Sequence, residues 1–127
     1  ILRGGNMAVA YGLRGTPYDI PAEGTILFLE DVSERPHAIE RMMYNLKLGG
    51  VLETLSGLII GQFTEYEEDC SLGKELYAAL ADLVKEYDYP VCFNFPVGHV
   101  THNLPLINGA KVELVVGKKN VELKFIC

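Results

Sequence analysis

The sequence predicts an α/β domain in which helices lie outside a mixed sheet, or outside two stacked sheets, and an antiparallel hairpin ends the chain. Residues 26–29, ILFL, form a continuous apolar run that is typical of a strand covered on both faces. Apolar residues recur at three- and four-residue spacing over residues 36–48 and 72–87, which indicates amphipathic helices. Apolar and polar residues alternate over residues 111–125 on both sides of a turn at 117–120, which indicates the hairpin.

The first helix in chain order is short and covers residues 7–13. The side-chain oxygen of Asn6 can accept a free N–H group of its first turn, and Gly15 can end it in a left-handed conformation. We therefore interpret Gly4, Gly5 and Asn6 as a loop that enters this helix.

A buried strand over residues 24–32 follows a connection of turn-forming residues at 16–24 and ends on two carboxylates, Glu30 and Asp31. In open α/β sheets, ligands collect outside the carboxyl ends of the strands. Glu30 therefore either presents its carboxylate to a substrate or to a histidine, or only marks the point at which the strand reaches water.

An amphipathic helix begins at Pro36, which suits a first helical turn, and ends at the glycine pair Gly49 and Gly50. A second apolar run, LSGLII at residues 55–60, predicts a strand that stops at Gly61. The acidic stretch after it, from Glu65 to Asp69, is predicted to be a solvated loop whose carboxylates have no evident partners.

The second long helix covers residues 72–87, with Ser71 as its predicted N-cap. A brief buried strand is predicted over residues 91–93. The loop that follows, residues 94–103, contains two of the three histidines, and Gly98 allows an unusual backbone conformation just before His99. A histidine in such a loop can be aimed at a neighbouring group.

Length and composition indicate one globular domain: 127 residues, 49% hydrophobic and 22% charged. The net charge of −6 opposes binding to nucleic acid. The apolar runs are far shorter than the ~20 residues that cross a bilayer, so we expect no membrane partner. Three scattered cysteines without CxxC spacing fit a reducing cytoplasm. Because the chain starts at Ile1 with no initiator Met, we expect it to be a piece of a longer protein.

The three histidines allow different chemistry. His37 begins an amphipathic helix, where solvation of the helix surface is the simplest explanation. His99 and His102 could join Glu30 in a metal site, but HxxH in a loop lacks the helical spacing of the zincin motif, and spacing indicates no further ligand. We therefore predict no metal.

An acid–histidine pair is the other possibility. Glu30 would accept the N–H of His99 and fix its tautomer, which leaves the other ring nitrogen free to act as a general base. Such a base needs a nucleophile, and none of the serines stands in a GxSxG turn. Cys92 lies within an apolar strand, where a buried inert thiol is expected. The chain by itself offers two members of a triad.

Six motifs follow one another along most of the chain: GGNM at 4–7, GTPYD at 15–19, ILFLEDVSE at 26–34, ERMMYNL at 40–46, GLIIGQF at 57–63 and PVGH at 96–99. In this order they resemble the C-terminal domain of LD-carboxypeptidases. That serine peptidase family includes muramoyltetrapeptide carboxypeptidases and microcin C self-immunity peptidases. The resemblance implies a swivelling β/β/α fold for residues 1–127.

The resemblance also implies roles for individual residues. Glu30 and His99 correspond to the family's catalytic Glu and His, Asn6 to a substrate contact, and Asp31 becomes the less suitable acid. The nucleophilic serine belongs to an N-terminal domain that is absent from this chain, so the chain alone is expected to be inactive.

The implied reaction is removal of the terminal D-alanine from murein tetrapeptides during cytoplasmic cell-wall recycling, without metal or organic cofactor. The implied partners are the protein's own N-terminal domain, the murein peptide and a second copy in a homodimer. Two alternatives remain open: a peptidase of the same family that acts on peptidyl- or acyl-adenylate antibiotics, and a non-catalytic binding module.

Overall fold

The computed structural model describes all of residues 1–127 and contains six strands and three helices. Their bounds are β1 Leu2–Asn6, α1 Met7–Gly12, β2 Ile26–Val32, α2 Pro36–Leu48, β3 Gly57–Thr64, α3 Leu76–Val84, β4 Val91–Cys92, β5 Val112–Val116 and β6 Val121–Phe125. Short 3-10 turns occupy Leu52–Thr54 and Cys70–Leu72. None of the helices has the length and apolar character needed to span a membrane.

The strands form two separate sheets. Strands β1 to β4 make a parallel sheet in that order, and β5 pairs with β6 in an antiparallel hairpin. The predicted α/β class, the outer helices and the C-terminal hairpin are therefore confirmed. Of the two arrangements that the sequence left open, the structure has two sheets, because the hairpin strands pair only with each other.

The two sheets and the helices form three layers. Leu27 and Leu29 of β2 belong to the core that the helices cover, whereas Ile26 and Phe28 belong to a smaller core beneath the hairpin. This alternation follows from the two-residue period of a strand. The order hairpin, parallel sheet, helices is the β/β/α arrangement that the resemblance implies.

Several predicted elements occur where the sequence places them. Helix α1 ends one residue earlier than predicted, the Asn6 side chain accepts the Val9 N–H at 3.1 Å, and Gly15 is left-handed with φ of +76°. Strands β2 and β4, helix α2 and both strands of the hairpin also match their predicted segments to within two residues.

Strand β1 corrects the prediction that Gly4, Gly5 and Asn6 form a loop. These residues pair in parallel with β2, with Gly4 opposite Phe28 and Asn6 opposite Glu30. Gly4 has φ of +147°, and a Cβ atom there would lie 1.9 Å from the Phe28 carbonyl oxygen. Gly4 therefore allows β1 to lie close to β2. The sequence prediction was wrong because glycine is more often found in turns than within strands.

Gly61 does not end the third strand as predicted but lies inside β3. The register with β2 shifts there, since Leu29 pairs with Ile60 and Asp31 pairs with Phe63. This is a β-bulge, in which Glu30 stands opposite both Gly61 and the residue after it. A Cβ atom on Gly61 would lie 2.6 Å from the Val97 carbonyl oxygen, so a distant loop requires the glycine.

The segment before α3 differs from its prediction in two ways. The helix begins at Leu76, not at 72, because Ser71 lies in a 3-10 turn and donates its N–H and hydroxyl to Asp69. The acidic stretch also has partners: Glu68 accepts the Leu76 N–H at 3.0 Å, and Asp69 contacts a histidine. These carboxylates organise the connection that leads into α3.

Candidate active site

Glu30 is buried near the carboxyl end of β2. Its side chain is only 9% exposed, and the strand alternation places it on the same face as Phe28, towards the hairpin layer. Asp31, the next residue, therefore points to the opposite face. The two adjacent carboxylates therefore lie on opposite faces of the parallel sheet.

The histidine loop is attached to the edge of β3 beyond β4. The Phe95 N–H donates to the Ile60 carbonyl at 3.1 Å, and the Gln62 N–H donates to the Val97 carbonyl at 2.8 Å. Gly98 has φ of +141°, and a Cβ atom there would lie 2.8 Å from the Gln62 carbonyl oxygen and 3.3 Å from Glu30 Cβ. Glycine lets the loop lie directly on the bulge.

Glu30 and His99 form a hydrogen bond although they are far apart in sequence. His99 Nδ1 lies 2.8 Å from Glu30 Oε2. In the tautomer that carries the hydrogen on Nδ1, this nitrogen donates to the carboxylate, and Nε2 keeps a free lone pair. The His99 side chain is 55% exposed, so Nε2 is accessible to a group from outside the domain.

Asn6 and Asp31 form a second polar cluster at the start of α1. Asn6 Nδ2 donates to Asp31 Oδ1 at 2.8 Å, and Asp31 Oδ2 accepts the Ala8 N–H at 2.9 Å. The oxygen of the Asn6 side chain caps Val9. The other hydrogen of the Asn6 amide has no hydrogen-bond partner within the chain, whereas both carboxylate oxygens of Asp31 accept hydrogen bonds.

The other candidate residues have different surroundings. His37 Nδ1 lies 3.1 Å from Asp69 Oδ2 on the surface, and His102 is exposed. The chain holds no group of three or more His, Cys, Asp or Glu side chains suited to a metal ion. Cys92 is buried, and burial raises the pKa of its thiol to about 11, which keeps it protonated. No serine hydroxyl hydrogen-bonds to His99.

Two supporting residues were not singled out by the sequence patterns. Gln62 Nε2 donates to the Asn94 carbonyl at 2.9 Å, and Asn103 Oδ1 accepts the Gly98 N–H at 3.0 Å. Both hold the backbone of the histidine loop. The only sequence signal was that Gln62 is the first polar side chain after the apolar run at residues 57–60.

The family model of the LD-carboxypeptidase C-terminal domain matches residues 1–114. The chain belongs to the LD-carboxypeptidase family. This LD-carboxypeptidase domain is 30% identical over 126 residues to a probable murein peptide carboxypeptidase of Bacillus subtilis (strain 168), with 97% of the chain and 39% of the relative covered. It is also 30% identical over 123 residues to the microcin C7 self-immunity protein MccF of Escherichia coli, with 94% of the chain and 35% of that protein covered.

Solved structures agree with this membership. The LD-carboxypeptidase domain superposes on a muramoyltetrapeptide carboxypeptidase from Oxalobacter formigenes with a TM-score of 0.87 and 30% identity, over 98% of the chain and 43% of that structure. It superposes on MccF in complex with glutamyl sulfamoyl guanosine with a TM-score of 0.66 and 25% identity, over 76% of the chain and 29% of that structure. The chain therefore spans less than half the length of these relatives.

Proposed function

We propose that the full-length protein is a serine LD-carboxypeptidase and that this domain supplies two of its three catalytic residues. Glu30 is the orienting acid, His99 is the general base, and the N-terminal domain provides the serine nucleophile. The hydrogen bond of 2.8 Å between His99 Nδ1 and Glu30 Oε2 is the observation that supports this proposal.

The proposed reaction follows the logic of a catalytic triad. The serine hydroxyl attacks the amide carbonyl while His99 Nε2 takes its proton, and the buried Glu30 carboxylate stabilises the imidazolium. His99 then gives the proton to the leaving amine, and the C–N bond breaks to leave an acyl-enzyme. Water, deprotonated by His99, hydrolyses the ester and restores the serine. No step uses a metal or an organic cofactor.

The proposed substrate is a murein tetrapeptide, from which the enzyme removes the terminal D-alanine. The similarity to a murein peptide carboxypeptidase and to a muramoyltetrapeptide carboxypeptidase supports this choice. We place the reaction in the cytoplasm, as part of peptidoglycan recycling, and propose a homodimer as its assembly. Asn6 is the proposed substrate contact, through its remaining amide hydrogen.

A second candidate is an enzyme of the same family that cleaves peptidyl- or acyl-adenylate antibiotics. The similarity to MccF, which has been solved in complex with glutamyl sulfamoyl guanosine, favours this reading. Purified full-length protein should be given a murein tetrapeptide and a peptidyl-nucleotide in parallel. A higher kcat/KM for the peptidyl-nucleotide would replace the murein assignment.

A non-catalytic binding module predicts that the two site residues lie out of reach of each other. A general base and its orienting acid need heavy atoms about 2.6–3.2 Å apart. The observed separation lies inside this range, and the acid is buried while the imidazole is open to solvent. This combination supports the enzyme.

The decisive experiment measures D-alanine release by the full-length protein carrying His99→Ala or Glu30→Ala. We expect kcat to fall by about 10³-fold or more in either variant, because the base is lost or misoriented. His102→Ala is the matched control, since it removes an exposed histidine of the same loop and should leave kcat within about twofold. Near-normal turnover by His99→Ala would refute the proposal.

A further inference from the structure

We propose that Tyr77 is a positioning residue for the Glu30–His99 pair and that it acts by holding the bulge of β3 from the helix side of the sheet. The inference rests on the proposed function, in which this pair forms the base. Tyr77 lies on α3, and its hydroxyl hydrogen-bonds neither Glu30 nor His99. Its effect is therefore transmitted through the strand.

The Tyr77 hydroxyl joins two backbone groups of β3, one in the bulge at Gly61 and one just after it at Phe63. It accepts the Phe63 N–H at 3.0 Å and donates to the Gly61 carbonyl at 3.2 Å. A bulge interrupts the regular ladder between strands, and a buried backbone group that loses its partner is costly. The one hydroxyl supplies an acceptor and a donor at the place where the register with β2 shifts.

The bulge in turn supports the histidine loop. Gln62, the residue between the two groups that Tyr77 binds, donates its N–H to Val97 and its side-chain amide to Asn94. Gly98 lies so close to the Gln62 carbonyl that a Cβ atom would approach it to 2.8 Å. A movement of the bulge would therefore shift the backbone just before His99, while Glu30 stays on the neighbouring strand.

The Tyr77 ring is itself held in place. It packs edge to face against Phe63, with ring centroids 6.3 Å apart and an interplanar angle of 75°. Burial raises the pKa of the Tyr77 hydroxyl, against the lowering effect of the Phe63 N–H, and nearby Glu68 raises it further. The hydroxyl thus keeps the proton that it donates to Gly61 throughout the neutral range.

The first test compares Tyr77→Phe with Tyr89→Phe in the full-length protein. Tyr77→Phe keeps the ring and removes only the hydroxyl, and we expect kcat for D-alanine release to fall by about 10- to 100-fold with KM changed by less than about threefold. The Tyr89 hydroxyl is buried without any hydrogen-bond partner, so Tyr89→Phe should keep kcat within about twofold.

A second measurement does not depend on turnover. Nitrogen and proton NMR of the His99 imidazole, in the same full-length proteins, reports the Nδ1 hydrogen bond to Glu30. We expect its signals to change in Tyr77→Phe and to stay the same in Tyr89→Phe. If His99→Ala turned over normally, the proposed function would fail, yet this spectrum would still test the positioning role. A folded Tyr77→Phe with unchanged kcat and unchanged His99 signals would overturn it.

Two isosteric replacements keep the test available if Tyr77→Phe does not fold. 4-Aminophenylalanine at position 77 restores a donor to the Gly61 carbonyl, whereas 4-methylphenylalanine fills the same space without one. We expect kcat of the amino form to exceed that of the methyl form by about tenfold. Equal kcat values in these two proteins would also overturn the proposal.

Discussion

Replacing Asp31 should separate its role from that of its neighbour Glu30. Asp31 is only 3% exposed, and its carboxylate accepts three hydrogen bonds: from the Ala8 N–H at 2.9 Å, from Asn6 Nδ2 at 2.8 Å and from the Val32 N–H at 2.8 Å. It therefore joins the end of β2 to the first turn of α1. We predict that Asp31→Ala lowers the free energy of unfolding.

The size of the effect follows from the partners that the change leaves unpaired. Losing the acceptor for a partly buried N–H costs about 1–3 kcal/mol, and α1 begins close enough to the surface for water to replace part of this. The Ala8 N–H and the Asn6 amide are both affected, which gives about 2–4 kcal/mol in total. Asp31→Asn should recover little, because its NH₂ group would face one of these donors.

Urea unfolding followed by circular dichroism measures this change, and amide hydrogen exchange at Ala8 locates it in α1. Glu30→Gln is the matched control: it has nearly the same volume as Glu30, and it should lower kcat by about 10³-fold or more while unfolding stability changes much less. The reasoning fails if the free energy of unfolding of Asp31→Ala lies within about 0.5 kcal/mol of that of the unmodified protein. It also fails if Asp31→Ala loses activity while its free energy of unfolding is unchanged.

Two further predictions concern the backbone and alkaline pH. Gly4→Ala should lower the free energy of unfolding by at least about 3 kcal/mol, since the new Cβ would overlap the Phe28 carbonyl. Gly5→Ala should lower it by only about 1–2 kcal/mol, through backbone strain, because nothing lies within 4 Å of the Cβ position. Equal losses of unfolding free energy in urea would contradict this. Burial, aided by Glu68, raises the pKa of Tyr66 to about 12. The unfolded chain therefore loses this proton first, near pH 10, and stability falls between about pH 10 and 12 by at most about 1.4 kcal/mol per pH unit. Tyr66→Phe should flatten that decline, and an identical slope in both proteins would refute the assignment.

Local sequence patterns predicted the elements that are stabilised by their own apolar faces. The run in β2, the stripe of α2 and the alternation in the hairpin each show a period that a single structure explains. Strand β1 shows no such period, because its pairing depends on two glycines and on close contact with Phe28. The predicted start of α3 is wrong because Ser71 does not cap the helix. It donates its N–H and hydroxyl to Asp69 instead.

Local sequence patterns likewise predicted only part of the candidate site. The sequence patterns alone left the pairing of Glu30 with His99 as one possibility beside a metal site, and the motifs shared with LD-carboxypeptidases favoured the pair. The distance itself, 2.8 Å across a separation of 69 residues, depends on the bulge and on the histidine loop. The bulge and the position of this loop on β3 have no local signature, because contacts between segments far apart in the chain set both of them.

By itself, the sequence determined the fold class, the buried strand that ends in a carboxylate and the loop that holds the histidine. Only the tertiary structure decided which carboxylate faces which layer. Alternation along β2 requires that Glu30 and Asp31 point to opposite faces. Which face meets the histidine loop, and which meets α1, depends on how the layers pack, and packing is a property of the whole chain.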